Sequence, residues 1–147
     1  MSNINQVKND YQKIVDYHSP KNKVFTNSIK AFFIGGIICT VGQLLIDGYM
    51  YLGLSFLEAS TWATDSLIFI SAVMTAFNIY DNLGRFGGAG ALVPITGFAN
   101  SMVSAGMEYK KEGYIYGLGS KLFTIAGPVI VFGTIASVII GIIYYFI

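Results

Sequence analysis

Asp81 and Arg85 stand four residues apart, and directly after them come Gly87, Gly88, Gly90, Pro94, Thr96, Gly97, Asn100 and Ser101 in a stretch without charge up to Met102. Opposite charges at that spacing meet on one helical turn. The stretch itself is badly built for a continuous helix, because glycine costs about 1 kcal/mol and proline about 3 in a helix interior. In a bilayer, broken backbone survives only where protein covers it or water reaches it, and transporters place solute sites at such breaks. Two readings follow. In one, a half-helix beginning near Pro94 turns its positive end toward a carboxylate. Thr96, Asn100 and Ser104 then share a face at steps of four and line a polar path. Gly87, Gly88, Gly90, Gly97 and Ser101 surround that path, and Arg85 draws an anion toward it. In the other, the small residues let helices pack closely and the polar ones bond between helices.

Other chemistries lack their residues. There is no Gly-x-Ser-x-Gly, His-Glu-x-x-His or Walker loop, so acyl transfer, zinc hydrolysis and phosphate transfer have no equipment. Tyr80-Asp81 resembles half of an intramembrane aspartyl protease site, but a second membrane aspartate with its glycine-rich motif is missing. The single histidine, His18, falls in a hydrophilic head, and the single cysteine, Cys39, falls in an apolar run, which excludes a disulfide framework and a cysteine metal site. A net charge of +1 without interleaved basic and aromatic residues argues against nucleic acid. No enzyme activity, metal or cofactor is expected.

The elements that must position these residues are membrane helices. Of 147 residues 54% are hydrophobic and only 12% charged, and none is ionisable between Lys30 and Asp47, Asp65 and Asp81, Arg85 and Glu108, or after Lys121. Crossing the hydrocarbon takes about 20 apolar residues, so the chain reads as an all-α, polytopic membrane protein of three to four segments. Residues 1–28 form a cytoplasmic amphipathic head, with Ile4, Val7, Tyr11, Ile14 and Val15 on one helical face. That face is suited to lying on membrane lipid, on a partner, or on loops of its own chain. The head begins with no apolar run, so no cleavable signal is expected. Five lysines against two aspartates across residues 1–30 place it in the cytoplasm.

The membrane domain, 29–147, divides into segments 29–50, 65–80, 86–107 and 121–147. Gly35, Gly36 and Gly42 mark a packing face on the first. Ser60 to Asp65 are expected to cap the second. The third either crosses or dips in and returns. The last should kink at Gly127-Pro128 and carries the strip Gly133, Ser137 and Gly141, a packing face for a partner helix. Two observations favour a dip. Residues 108–121 hold three lysines against two glutamates, which the positive-inside rule keeps in the cytoplasm. In addition, Lys30, Phe32, Ile34, Gly36 and Gly42 recur as Lys121, Phe123, Ile125, Gly127 and Gly133 at a constant offset of 91, a weak internal repeat whose copies would enter from one side.

YDNLGRFGGAGALVPITGFANSM from Tyr80 to Met102, followed by Ser104-Ala105, Glu108-Tyr109-Lys110-Lys111-Glu112 and AGPVIVFG at 126–133, resembles the stage V sporulation protein A group. The resemblance covers almost the entire chain. It implies a multi-pass protein of the forespore and spore inner membrane that moves dipicolinic acid, as its calcium chelate, in sporulation and germination. It also implies tension-sensitive channel behaviour, and a hetero-oligomer with the AE membrane protein and AD soluble protein of that group. On that footing Asp81 would hold Arg85 or meet the calcium. A structural subunit without its own solute path and a stand-alone mechanosensitive channel are the alternatives.

Overall fold

The computed structural model describes residues 2–18 and 23–147, and every regular element among them is helical. The helices are α1 (Ser2–His18), α2 (Val24–Tyr51), α3 (Phe56–Ala76), α4 (Ile79–Gly87), α5 (Pro94–Tyr109) and α6 (Ser120–Phe146). A 3-10 segment, Gly88–Leu92, joins α4 to α5, and a 3-10 turn, Lys110–Glu112, and a π turn, Tyr114–Gly119, lead into α6. Among the described residues two elements are long and apolar enough to cross a membrane, Val24–Tyr51 and Tyr114–Phe146; Phe56–Ala76 with Ile79–Leu92 makes a pair, bent by 100°, that counts as a third if it is one span. This is a polytopic all-α membrane protein with a broken central segment, as the composition led one to expect. Ile4, Val7, Tyr11 and Ile14 of α1 are exposed; His18-Ser19-Pro20 reads in the sequence as the end of this helix, and Ser19 and Pro20 lie outside the described residues.

α2 and α3 form an antiparallel hairpin. Near its turn the Tyr49 hydroxyl lies 2.8 Å from Oγ of Ser66, and further along Gly42 leaves room for Leu67, whose Cδ1 would be 3.4 Å from a Cβ there. α3 starts earlier than the segment 65–80 implied. Its cap is Ser55, whose hydroxyl accepts from the Glu58 backbone N–H while the Glu58 carboxylate accepts from the Ser55 N–H. This reciprocal pair satisfies two of the helix's free donors, so Ser60 to Asp65 are interior residues and not a cap. Ala59, Ala63, Leu67, Ser71 and Thr75 then fall at steps of four on one buried stripe. Their small side chains let the other helices come close to α3.

α3 ends sooner than expected, at Ala76. Asn78 takes the left-handed conformation (φ 58°), a role Asn tolerates because its short polar side chain bonds locally. The chain therefore turns at 77–78, and α4 lies across the end of the hairpin against α2. At Gly90 a Cβ would collide with the Ala31 backbone, and at Gly87 it would come within 2.8 Å of the Ile34 side chain. α5 next runs beside α3 in the same direction, since Ser71 meets Thr96 and Thr75 meets Asn100. α6 packs back on α5, with the Lys121 ammonium 4.5 Å from the Tyr109 ring centroid. Both ends of the segment 79–109 accordingly come out on the side of the Asn78 turn. α6 continues as one helix through Pro128.

Of the expected packing glycines, Gly35 faces Gly90 and Gly42 faces Leu67, whereas Gly36, Gly133 and Gly141 look into open space and Ser137 is exposed.

Candidate functional site

The broken segment is held by a buried hydrogen-bond network. The Tyr80 hydroxyl is 2.9 Å from the Ala91 carbonyl and 2.9 Å from Oγ1 of Thr96. A phenol has one proton; the carbonyl can only accept it, so the threonine hydroxyl supplies the second bond. The Thr96 carbonyl in turn accepts from Ser71 at 2.7 Å. One turn further along, the Thr75 hydroxyl has the Ser71 carbonyl at 2.7 Å and the Asn100 side-chain oxygen at 2.9 Å. Among the described residues no buried side-chain polar atom lacks a partner. In hydrocarbon that closure matters, because an unmet polar group costs about 1–3 kcal/mol. The network ties α3, α4, the 3-10 segment and α5 into one unit.

From this floor a polar stripe runs outward along α5. Asn100, Ser104 and Glu108, at steps of four, face Thr75, Asn78 and Asp81 across a cleft of about 450 Å³. Thr96 continues the stripe inward but is buried (5% exposed) in the network. Beyond the floor lies an apolar cavity of about 260 Å³ between Ile34, Leu67, Met74 and Leu83, to which Ser71, Tyr80 and Thr96 also contribute. The network thus stands between a polar cleft and an apolar cavity.

The residues singled out from the sequence separate into different places. Asp81 and Asn100 line the polar cleft. Arg85, Gly87 and Gly88 line a second cavity of about 450 Å³ toward the start of α2, together with Asn27, Ser28 and Lys30. Asp81 and Arg85, one turn apart on the same face of α4, join the two cavities through the expected pair, Arg85 Nε to Asp81 Oδ2 at 2.9 Å. Pro94 does open α5 at its first position, but with Gly97 and Ser101 it borders a mainly apolar groove shared with Ile68 and Val129. The positive end of α5 is therefore turned away from the polar cleft, whose two ionisable groups are carboxylates. Gly90 and Thr96 are buried, and Gly97 lets α5 fold back on Ala91 and Leu92, where a Cβ would sit 3.1 Å from the Ala91 carbonyl oxygen. Gly88, at φ 51°, serves the turn.

Sequence reasoning missed Ser71, Thr75 and the inward role of Tyr80. Tyr80 reads as an interfacial ring when taken singly. Ser71 and Thr75 carry a signal only as part of the step-of-four stripe Ala59, Ala63, Leu67, Ser71 and Thr75.

A helical bundle that folds a broken segment back into itself, with hydroxyls and an amide bonded across its interior, defines a small polytopic membrane protein built around a broken helical segment. The chain belongs to the SpoVAC/SpoVAEB sporulation membrane protein family, whose model matches residues 27–143. It is 45% identical to stage V sporulation protein AC of Bacillus subtilis (strain 168) over 141 residues, 95% of this chain and 93% of that protein. No solved structure matches the chain at significance.

Proposed function

We propose that this protein is a non-enzymatic membrane subunit of a complex that moves dipicolinic acid, with its calcium, across the spore inner membrane in sporulation and germination. The observation that supports it best is the polar stripe Asn100, Ser104 and Glu108 facing Thr75, Asn78 and Asp81, which opens outward from the buried network of the helical bundle. Polar and ionisable residues that gather at a cavity between membrane helices mark solute or ion paths. Calcium takes oxygen ligands, and the cleft offers it Asp81, Glu108, the Asn100 amide and the Ser104 hydroxyl. Among the described residues no three His, Cys, Asp or Glu side chains are grouped to hold a metal ion. Arg85 lines the second cavity and touches this path only through its pair with Asp81. The Tyr80–Thr96–Ser71 network is the closed constriction below the cleft, and movement of α4 on α5, by membrane tension or a partner, opens it.

A role in assembly has its own support. Gly133 and Gly141 of α6 have nothing within 4 Å of where a Cβ would stand, so this small-residue strip is free to receive a helix of the group's AE membrane protein, with the AD soluble protein on the cytoplasmic face. Dipicolinate release from spores carrying Asn100→Ala or Asp81→Asn decides between the two roles. A loss of several-fold or more in release rate, with the protein at its normal level and the complex intact, is expected. Wild-type rates for both would remove the cleft from the path and leave the assembly role.

A further inference from the structure

The second cavity takes no part in the polar cleft, and it has the construction of a lipid headgroup site. Lys30 and Arg85 bring two cations to it, and Asn27 and Ser28 bring hydrogen-bonding side chains. The Lys30 ammonium is positioned, standing 4.7 Å from the centroid of the Phe86 ring. Gly87 and Gly88 form its wall without side chains, and nothing lies within 4 Å of the place a Gly88 Cβ would take. No carboxylate lines it; Asp81, one turn before Arg85 on the same face of α4, holds the Arg85 guanidinium.

Position separates a lipid from a free anion. Lys30 ends the hydrophilic head and the next ionisable residue on α2 is Asp47, so the cavity lies where a membrane helix leaves the headgroup layer. The α2 positions that line it, Asn27, Lys30 and Ala31, continue on the same helical stripe into Ile34, Ile37 and Val41. Those three line an apolar cavity, which Gly87, packed against the Ile34 side chain, separates from the basic one. Cations placed where the chain enters its apolar span match a phosphodiester headgroup, and basic pockets between membrane helices take such headgroups. We infer that the Lys30–Arg85 cavity binds the phosphate of an anionic phospholipid, with its acyl chains against the exposed face of α2 at Phe33 and Ile37. This inference does not rest on the transport reading, because Lys30, Asn27 and Ser28 lie outside the proposed solute cleft.

The test uses the full chain in a neutral detergent, titrated with short-chain phosphatidylglycerol, with phosphatidylcholine of the same chain length, and with free glycerol phosphate, and read by melting temperature. Phosphatidylglycerol is expected to raise it well beyond phosphatidylcholine, with glycerol phosphate having little effect. Lys30→Gln should weaken the apparent affinity for phosphatidylglycerol about fivefold, the weight of one interfacial cation, and Lys30→Arg should keep it. Asn27→Asp, at an exposed position, should also weaken it and serves if Lys30→Gln fails to fold. Lys121→Gln, the repeat counterpart of Lys30 that lies over Tyr109, should leave it unchanged. Equal shifts with the two lipids overturn the inference, as does wild-type affinity in both Lys30→Gln and Asn27→Asp. A glycerol phosphate shift as large as that of the lipid makes the cavity a soluble-anion site and overturns it too.

Discussion

The phenol of Tyr80 joins α4 to the 3-10 segment through the Ala91 carbonyl and to α5 through Thr96, while its ring is 3% exposed. Tyr80→Phe keeps the ring and removes the oxygen, leaving two buried groups each short of a partner. In membrane proteins such bonds are worth less than their desolvation cost suggests, because the unfolded helices also find partners. A loss of about 1–2 kcal/mol in stability is therefore expected, read as a lower melting temperature in detergent. Glycines separate more sharply. A Cβ on Gly90 would collide with the Ala31 backbone, which cannot move aside as a side chain can, whereas Gly133 has open space. Gly90→Ala should cost upward of about 3 kcal/mol or abolish folding. Gly133→Ala in the isolated chain should be neutral or stabilising by up to about 1 kcal/mol. Equal melting temperatures for the two variants would contradict the close approach of the 3-10 segment to α2.

At the scale of elements the bend after α3 decides where the site forms. Asn78 is the one described non-glycine residue with positive φ, and it sets α4 at 100° to α3. Asn78→Gly should be tolerated, while Asn78→Val, β-branched in a left-handed position, should destabilise by about 1–3 kcal/mol; similar melting of the two would mean that the turn does not depend on this residue. The bend was hard to read in advance because the sequence marks it weakly. Residues 66–80 run apolar without glycine or proline, so hydropathy carries the segment through to Tyr80, and a lone asparagine is a faint stop signal. The start of α3 was legible: Ser55-Phe56-Leu57-Glu58 is a capping-box signature, outweighed by the denser Ser60–Asp65 run. The break before Pro94, the Asp81–Arg85 pair and the helical membrane class could all be read from residue types, because proline, charge spacing and hydropathy act locally. What could not be read is that Gly87, Gly90 and Thr96 turn inward. Their neighbours Ile34, Ala31 and Ser71 lie 20 or more residues away in sequence, and only the fold brings them together.

For the whole molecule the question is which side of the membrane each connection occupies. At about 1.5 Å per residue a helix of α5's 16 residues spans about 24 Å, short of the roughly 30 Å hydrocarbon core. It also runs in the direction of α3 and ends beside Asn78 and Asp81, with Glu108 in the same cleft. We propose that the segment 79–109, which leaves α3 on that side and returns to it, dips in without crossing. Residues 108–121 are then on the side of Lys30, and the paired lysines Lys30 and Lys121, each over an aromatic ring of the broken segment's two ends, enter from one face. On this proposal the positive-inside bias of both regions assigns that face to the cytoplasm. In a Cys39→Ser background, single cysteines at Ser28, Lys111 and Tyr116 should therefore react with an impermeant thiol reagent from one side. A cysteine at Leu52, in the α2–α3 connection, or at Tyr144, near the end of α6, should react only from the other. Labelling of Lys111 together with Leu52 would require α5 to complete a crossing, which its length and its parallel course beside α3 do not allow. Such a result would reverse the direction of α6 and separate Glu108 from Asp81, and the polar cleft would no longer exist as a single site.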